Sequence, residues 1–429
     1  MSVMNVDEQR LGLALRHFST FSEPAPQAGA VSRLPWTAED RRALTWLEQE
    51  MAELGLATSV DPLGNLWGRW DAGADTSLVM GSHRDSVPRG GAFDGALGVL
   101  AALEVVRVLR RAGYRPQHNI EVVAWNDEEG ARFGTTLFGS RLYVGALGRD
   151  QIDRAVDSRG RSLAEAVRHA GFSLEDMRPT TSLQRIHAYL ELHIEQGPIL
   201  EREDCQIGVV TGVGGIVQIQ VTLTGTRLHA AYSGADRHDP VLVAGLALQH
   251  LDSLQRAVNG DDSQARVGIT VGRLAATSSL INVVPAAMSF TVDVRSPDPR
   301  LALDLLRDFE AELQANAADR GVRAEVRAVN DHTTLAGAGR REEPIAFDSR
   351  LRAHIRAVTA DLHYTARDLP SWAGHDAMAL APRVPSAMIF VPSAAGISHA
   401  PGEYTSDGDA ARGANVLLHT LTAVDDSAR

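Results

Sequence analysis

Four short segments of the chain concentrate histidine and carboxylate side chains. They are GSHRDSVPRGGAFDG, with His83, Asp85 and Asp94; WNDEEGARF, with Asp127, Glu128 and Glu129; LHIEQGP, with His193, Glu195 and Gln196; and SAAGISHAPGE, with His399 and Glu403. Each segment alone is weak, because a histidine after a strand is usually a structural residue and an Asp-Glu-Glu run is usually a solvated loop. Together they supply three histidines and several carboxylates, the nitrogen and oxygen ligand set of a hydrolytic di-metal centre. In such a centre one carboxylate bridges two ions about 3.5–4 Å apart. Glycines flank Asp94, which suits a tight turn carrying a bridging ligand. The doublet Glu128–Glu129 fits a second requirement. Hydrolysis needs one carboxylate on the metal and another free to take the water's proton, and adjacent residues leaving a strand point in different directions. Asp85 has two readings: it accepts the second N–H of His83, or it is a turn acid.

These segments need elements that bring them together. Each follows an apolar run that reads as a strand: Ser77–Gly81, Asn119–Trp125, Ala188–Leu192 and Ser386–Val391. Helical patterns lie at Thr37–Glu53, which starts at a threonine cap, and at Gly95–Gly113, with late arginines and a terminal glycine. The amino-terminal stretch also reads as an amphipathic helix. Short apolar strands separated by helices predict an α/β sheet buried on both faces. Catalytic groups of such sheets lie beyond the carboxyl ends of the strands, so the four clusters are expected to share one crevice. The middle of the chain differs. Ile216–Thr224 and Ala286–Arg295 alternate polar and apolar residues. With Ala265–Ala275, Val322–Val329 and helices at Pro240–Asn259 and Leu301–Arg320, they give the order β-α-β-β-α-β of a ferredoxin-like α+β unit. We therefore expect a catalytic domain over 1–212 and 331–429 with an inserted domain at 213–330. Glycines at Gly212–Gly215 and Gly337–Gly339 mark the joints, either as hinges or as ordinary linkers.

Composition narrows the function. At 429 residues the chain has room for two or three domains. A net charge of −12 argues against nucleic acid or an anionic membrane as partner. All 42 basic residues are arginine, so chemistry that needs a lysine is excluded: Schiff bases and lysine-bearing phosphate loops. Cys205 is the single cysteine, which leaves no intrachain disulfide and no cysteine-rich metal site. No stretch reaches the roughly 18 apolar residues of a membrane span, and the amino terminus lacks the uninterrupted apolar core of a signal peptide. A cytoplasmic protein is expected.

The motifs GSHRDSVPRGGAFDG, WNDEEGARFG, LHIEQGP, INVVPAAMSFTVDVRSPD, WAGHDA and MIFVPSAAGISHAPGE resemble the amidase/hydantoinase/carbamoylase branch of the M20 metallopeptidases. GAVSRLPWTAEDRRA and GNLWGRW extend the likeness over nearly the whole chain. The branch includes N-carbamoyl-L-amino-acid hydrolases, allantoate amidohydrolases, β-ureidopropionases and ureidoglycolate hydrolases. The resemblance implies a zinc-exopeptidase-like catalytic domain and an inserted lid and dimerisation domain. It implies two divalent metal ions, zinc or manganese with cobalt and nickel as alternatives, held by His83, Asp94, Glu129, His193 and His399, with Asp94 bridging. It makes Glu128 the general base and His229 the oxyanion partner. Asn282 and Arg295, with Gln196 and the loop at Gly374, would hold the substrate carboxylate, the lid residues often in the partner subunit's site. On the residues alone, Arg295 reads equally as a salt-bridge partner and His229 as one loop histidine among 15.

Two segments depart from the pattern. Relatives usually carry His-Ala-Gly-Thr-Thr-Pro-Met in the lid, whereas this chain has His229-Ala-Ala-Tyr-Ser-Gly-Ala and is one residue shorter before Arg237. Trp372 stands where relatives have the first glycine of Ser-Gly-Ala-Gly-His-Asp. Both segments line the substrate side in relatives, so Trp372 either narrows the pocket or favours a bulky side chain. The expected activity is binuclear metal-dependent cleavage of a linear C–N bond in an N-carbamoyl-L-amino acid or related ureido acid, by a homodimer. An N-acyl-amino-acid amidase or dipeptidase on the same centre is the alternative. A non-catalytic binding protein is the remote one, and it predicts degraded ligands that this chain does not have.

Overall fold

The computed structural model describes residues 4–23, 29–173, 183–260, 266–278, 280–329 and 345–427. The chain forms two compact units, Met1–Gly212 with Ile345–Arg429, and Val213–Pro344.

The first unit is built on a mixed sheet. Its strands run in the spatial order Ala57–Val60, Leu66–Trp70, Asn119–Trp125, Ser77–His83, Ile186–Ile194, Ser386–Val391, Ile207–Val213 and Ile345–Ala346, with Ala366–Ser371 also pairing to Ile207–Val213. The four central strands are parallel to one another. The flanking pairs with Leu66–Trp70 and Ile207–Val213 are antiparallel. Every residue of Ser77–His83, Asn119–Trp125 and Ser386–Val391 is buried, as a sheet covered on both faces requires.

Residues alternate between the two faces. Leu78, Met80, Ile120, Val122, Leu190, Leu192, Ile389 and Val391 share one core with helices Ala96–Arg111 and Asp407–Asp426. The other face presents His83 aligned with Trp125, and Phe390 aligned with His193. Both histidines thus stand at the carboxyl ends of their strands, on the face away from that helix pair. Helix Ala38–Glu53 begins at Thr37, whose hydroxyl accepts from the Asp40 amide, as the sequence predicts. Helix Ala96–Arg111 begins directly after Gly95, which has φ +65°. A Cβ there would lie 2.4 Å from the His83 ring, so glycine is needed both for the left-handed turn and for the approach of the imidazole.

The second unit is a four-stranded antiparallel sheet in the order Arg323–Ala328, Gly215–Thr224, Ala287–Ser296, Gly268–Ala276. Helices Pro240–Asn259 and Pro299–Asp319 contribute to the apolar core formed against one face, with Val217, Ile219, Val221, Phe290, Val292 and Val294 from the strands. The elements follow one another as β-α-β-β-α-β. His229 and Asn282 lie at a small separate ladder, Leu228–His229 with Val283–Val284.

Gly212 ends up inside a strand, where a Cβ would meet the Ile345 carbonyl at 2.2 Å; at Gly214 it would meet the Ser296 carbonyl at 2.5 Å. These glycines permit close backbone approach. The joint at Gly337–Gly339 lies outside the described residues. No described helix is long and apolar enough to cross a membrane.

Candidate metal centre

Four loops leave the carboxyl ends of the central strands and meet at Asp94. One carboxylate oxygen, Oδ1, lies 3.2 Å from His83 Nε2 and 3.1 Å from His193 Nε2. The other, Oδ2, lies 3.3 Å from His399 Nε2, which is in turn 3.3 Å from Glu129 Oε1. Two ligand sets therefore share Asp94: His83, Asp94 and His193, and Asp94, Glu129 and His399. A third grouping joins His83 to Glu128 and Glu129. His83, Asp94 and His193 are buried, whereas the His399 side chain is half exposed.

The ligand nitrogens are oriented from behind. His193 Nδ1 lies 2.9 Å from the Ile194 carbonyl, which makes Nδ1 a donor and turns Nε2 toward Asp94. His83 Nδ1 lies 3.2 Å from the main-chain oxygen of Asp85. The Asp85 carboxylate does something else. Its two oxygens accept the amides of Glu128 at 3.0 Å and Glu129 at 3.2 Å, while Oδ1 is 3.7 Å from the imidazole. Asp85 is thus chiefly a turn acid that pins the glutamate doublet.

Backbone strain collects in the same loops. Asp127, Gln196 and His399 all have φ near +55° despite carrying side chains. Such conformations cost about 1–3 kcal/mol each and persist where surroundings enforce them.

Charge in the site is strongly coupled. Burial works against the His83 imidazolium, but Glu128, Asp94 and Asp85 outweigh it and hold the ring well above its ordinary pKa. His399 is pushed up to about 11: burial opposes the charge, and Asp94 and Glu129 overcome it. Asp94 is held well below the usual carboxylate range, burial being outweighed by the imidazoles of His193, His399 and His83. Burial drives Glu128 well above its ordinary value, reinforced by Glu129, Asp376 and Asp85 against the opposing His83. Protons on these imidazoles occupy positions that a divalent cation would take, releasing them.

The donor set fits such a cation. Three imidazole nitrogens and the carboxylates are the hard and borderline ligands of Zn²⁺ or Mn²⁺. Glu129 Oε1, at the centre of one set, is buried with His399 Nε2 3.3 Å away. A divalent cation would satisfy it.

The remaining sequence candidates fall into three groups. Gln196 reaches the centre, but its Nε2 donates to Asp94 Oδ2 at 2.6 Å, with Ser398 Oγ at 3.4 Å. Glu195, prominent in LHIEQGP, accepts the amides of Ile199 and Leu200 at 2.8 Å and shapes the loop. Asp127 is fully buried and belongs to neither ligand set containing Asp94. In the second unit, His229 and Asn282 come together: Asn282 Nδ2 lies 3.4 Å from His229 Nε2, and the Ala230 amide donates to the Asn282 carbonyl at 2.9 Å. Arg295 grips Asp293, with Nε 2.9 Å from Oδ1 and Nη2 3.2 Å from Oδ2, and Gln218 donates to that same carboxylate at 2.6 Å.

The Trp372–Gly374 turn follows strand Ala366–Ser371. Ser371 Oγ accepts the Ala373 amide at 3.0 Å and lies 2.8 Å from His375 Nε2. The His375 ring packs edge-to-face on His193, centroids 4.5 Å apart. Trp372, half-buried, is therefore three residues from a group that touches a ligand. Sequence reasoning gave no role to His375, nor to Ser398, nor to Glu191. Glu191 is buried beneath the centre and bonded to Ser82, Tyr189 and the Ala377 amide. The signal available for Glu191 was a charged residue inside the otherwise apolar run Ala188–Leu192.

Comparison with known proteins agrees with this geometry. Residues 79–423 match the model of peptidase family M20/M25/M40. N-carbamoyl-L-amino acid amidohydrolase of Geobacillus stearothermophilus is 38% identical over 399 residues, covering 92% of this chain and 93% of the relative. Allantoate amidohydrolase of Bacillus subtilis is 32% identical, with 92% of each chain covered. Among solved structures, AtUAH in complex with glyoxylate superposes with a TM-score of 0.87 at 30% identity, and an amidase of the hydantoinase/carbamoylase family from Burkholderia vietnamiensis with 0.87 at 33%; each comparison covers 99% of both chains. The chain belongs to the M20/M25/M40 peptidase family.

Proposed function

We propose that this chain is a metal-dependent amidohydrolase that cleaves the linear C–N bond of an N-carbamoyl-L-amino acid or related ureido acid. The carrying observation is the convergence of three imidazole Nε2 atoms on the two oxygens of Asp94, with Glu128 and Glu129 side by side. His83 and His193 with Asp94 Oδ1 would hold one divalent ion, and His399 and Glu129 with Asp94 Oδ2 a second. When bound, such ions polarise the carbonyl and lower the pKa of water. Relatives named for carbamoyl-amino-acid and allantoate hydrolysis support the ureido class.

The chain's own groups then carry the proton. Glu128 takes it from the attacking water and passes it to the leaving nitrogen. Burial and the neighbouring carboxylates raise Glu128 toward the range where a carboxylate is a useful base. Asp85, bonded to the Glu128 amide, holds that base in place. In the second unit, His229 would stabilise the oxyanion. Arg295 and Asn282, with Gln196 and Gly374, would hold the substrate carboxylate, arginine being suited to that task by its planar fork. The inserted unit would serve as lid and dimerisation domain of a homodimer. An exposed edge strand such as Gly268–Ala276 offers a pairing surface.

The two altered segments, at His229 and at Trp372, keep open a second reading, an N-acyl-amino-acid amidase. A substrate panel separates the two. Chelator-stripped protein is reconstituted with Mn²⁺ or Zn²⁺ and given allantoate, N-carbamoyl-L-amino acids and N-acyl-L-amino acids with small, aliphatic and aromatic side chains. Equal release of amine and ammonia from the carbamoyl substrates supports ureido hydrolysis. Amine without ammonia moves the protein to the acyl class, and no product from any substrate removes both readings.

A further inference from the structure

Glu403 stands outside both ligand sets that share Asp94, yet it ties the loop that carries Asp94 to the turn that carries His399. Its Oε1 accepts the amides of Phe93 at 2.9 Å and of Asp94 at 3.0 Å. Its Oε2 lies 2.9 Å from Ser398 Oγ, and the same hydroxyl lies 2.9 Å from Asp94 Oδ2. The carboxylate is buried flush against the backbone: a Cβ on Gly91 would sit 2.1 Å from Glu403 Oε1.

We propose that Glu403 is a positioning residue that sets Asp94 and the Ser398–His399 turn in register for divalent-cation binding. This rests on the reading that Asp94 and His399 are metal ligands. A glutamate that merely braced two loops would bond to groups remote from the ligands. Glu403 instead bonds to the peptide amide of Asp94 itself, and to the hydroxyl that touches the Asp94 oxygen facing His399. It therefore fixes the ligand's backbone and one of its oxygens together. Outer partners of this kind typically change metal affinity by about 10- to 100-fold when removed. The loops have another tie, the edge-to-face contact of Phe93 with Tyr404 at 5.8 Å, so they stay joined when the carboxylate is deleted.

The test is an equilibrium titration of chelator-stripped protein with Mn²⁺, reading free Mn²⁺ by its paramagnetic resonance signal. Wild type is expected to take up Mn²⁺, and Glu403→Ala to bind it at least about tenfold more weakly. Glu403→Gln keeps an oxygen for the two amides and an NH₂ for Ser398, so it should restore most of the affinity. Ser398→Ala, which removes only the shared hydroxyl, should weaken binding in the same direction and serves if Glu403→Ala does not fold. Wild-type affinity and stoichiometry in Glu403→Ala, or in Ser398→Ala where that variant stands in, overturns the proposal. Wild type that binds no Mn²⁺ overturns the ligand reading beneath it.

Discussion

Replacing Asp85 separates its two possible duties. In the structure its carboxylate is fully buried and spends both oxygens on the amides of Glu128 and Glu129. The His83 ring is steadied by the main-chain oxygen of residue 85, which any substitution keeps. Asp85→Asn retains one acceptor oxygen and turns an NH₂ toward the other amide. One buried N–H then loses its partner, at a cost of about 1–3 kcal/mol. Asp85→Ala loses both and should cost about 2–6 kcal/mol on the same basis. Urea unfolding followed by tryptophan emission measures this, because all six tryptophans, at 36, 46, 67, 70, 125 and 372, lie in the unit that holds the centre. The displaced doublet should lower kcat by about 100-fold, the usual effect of a small misplacement of a catalytic group. Metal uptake at the His83–His193 set should change little. An Asp85→Asn protein with unchanged urea stability but markedly weakened metal binding would refute this reasoning and return Asp85 to the role of imidazole orienter.

Three further outcomes follow from the same structure. Glu128→Gln should lower turnover by about 10²- to 10⁴-fold while metal content, measured by elemental analysis, stays at the wild-type value; a near-normal rate rules out Glu128 as the base. Removing divalent ions should destabilise the unit containing the centre, by about 4 kcal/mol relative to protein held at 1,000 times the metal Kd, read as a lower urea midpoint; an unchanged midpoint contradicts the metal reading. Asp425 gives an acid-stability prediction. Burial raises its pKa, but the amides of Gln117 and His118, the His118 ring and the Tyr114 hydroxyl outweigh it and hold the carboxyl below its ordinary value. A folded pKa below the unfolded one means the unfolded chain binds more protons in acid. The stabilisation is therefore full above about pH 4 and is lost as pH falls through the lowered value. Asp425→Asn should flatten the acid limb of stability against pH, and an unaltered slope there counts against the assignment.

The sequence was most readable where the physics is local. Helix Ala96–Arg111 follows from apolar spacing, late arginines and the glycine at its end. The four loops were found because histidine and carboxylate after short apolar runs point to strand ends. Strands Ala57–Val60 and Ala366–Ser371 were not seen, since they are short and only partly buried, and ATSV or ARDLPS carries no clear period. Helix Asp407–Asp426 was also missed; it is buried over most of its surface, which blurs the amphipathic stripe. In the site, residue type did not reveal partners. Glu195 and Glu403 sit in similar motifs, but one shapes its own loop and the other reaches back to Asp94 across 309 residues. Gln196, read as a substrate group, also donates to Asp94, a contact that depends on a left-handed backbone no pattern announces.

Ser398 shows why this centre calls for cations. Its hydroxyl has one proton and two carboxylate oxygens at 2.9 Å, Asp94 Oδ2 and Glu403 Oε2. It can donate to only one of them. Two unit charges 4 Å apart repel by about 4 kcal/mol at an effective dielectric of 20, so the unserved contact is costly when both groups are ionised. Glu403 responds by an upward shift, driven by burial and then by the charge of Asp94. The other groups bonded to these two carboxylates are backbone amides, the Gln196 amide and imidazoles. Imidazolium charge can balance them, at the expense of the lone pairs that make the three histidines ligands. A divalent cation held by these residues would remove the conflict from the other side, since Asp94 would be neutralised, Ser398 could donate to Glu403, and the three Nε2 atoms would need no proton. The same residues would thus conflict without a metal and agree with one, which is the physical argument for divalent-cation binding at this cluster.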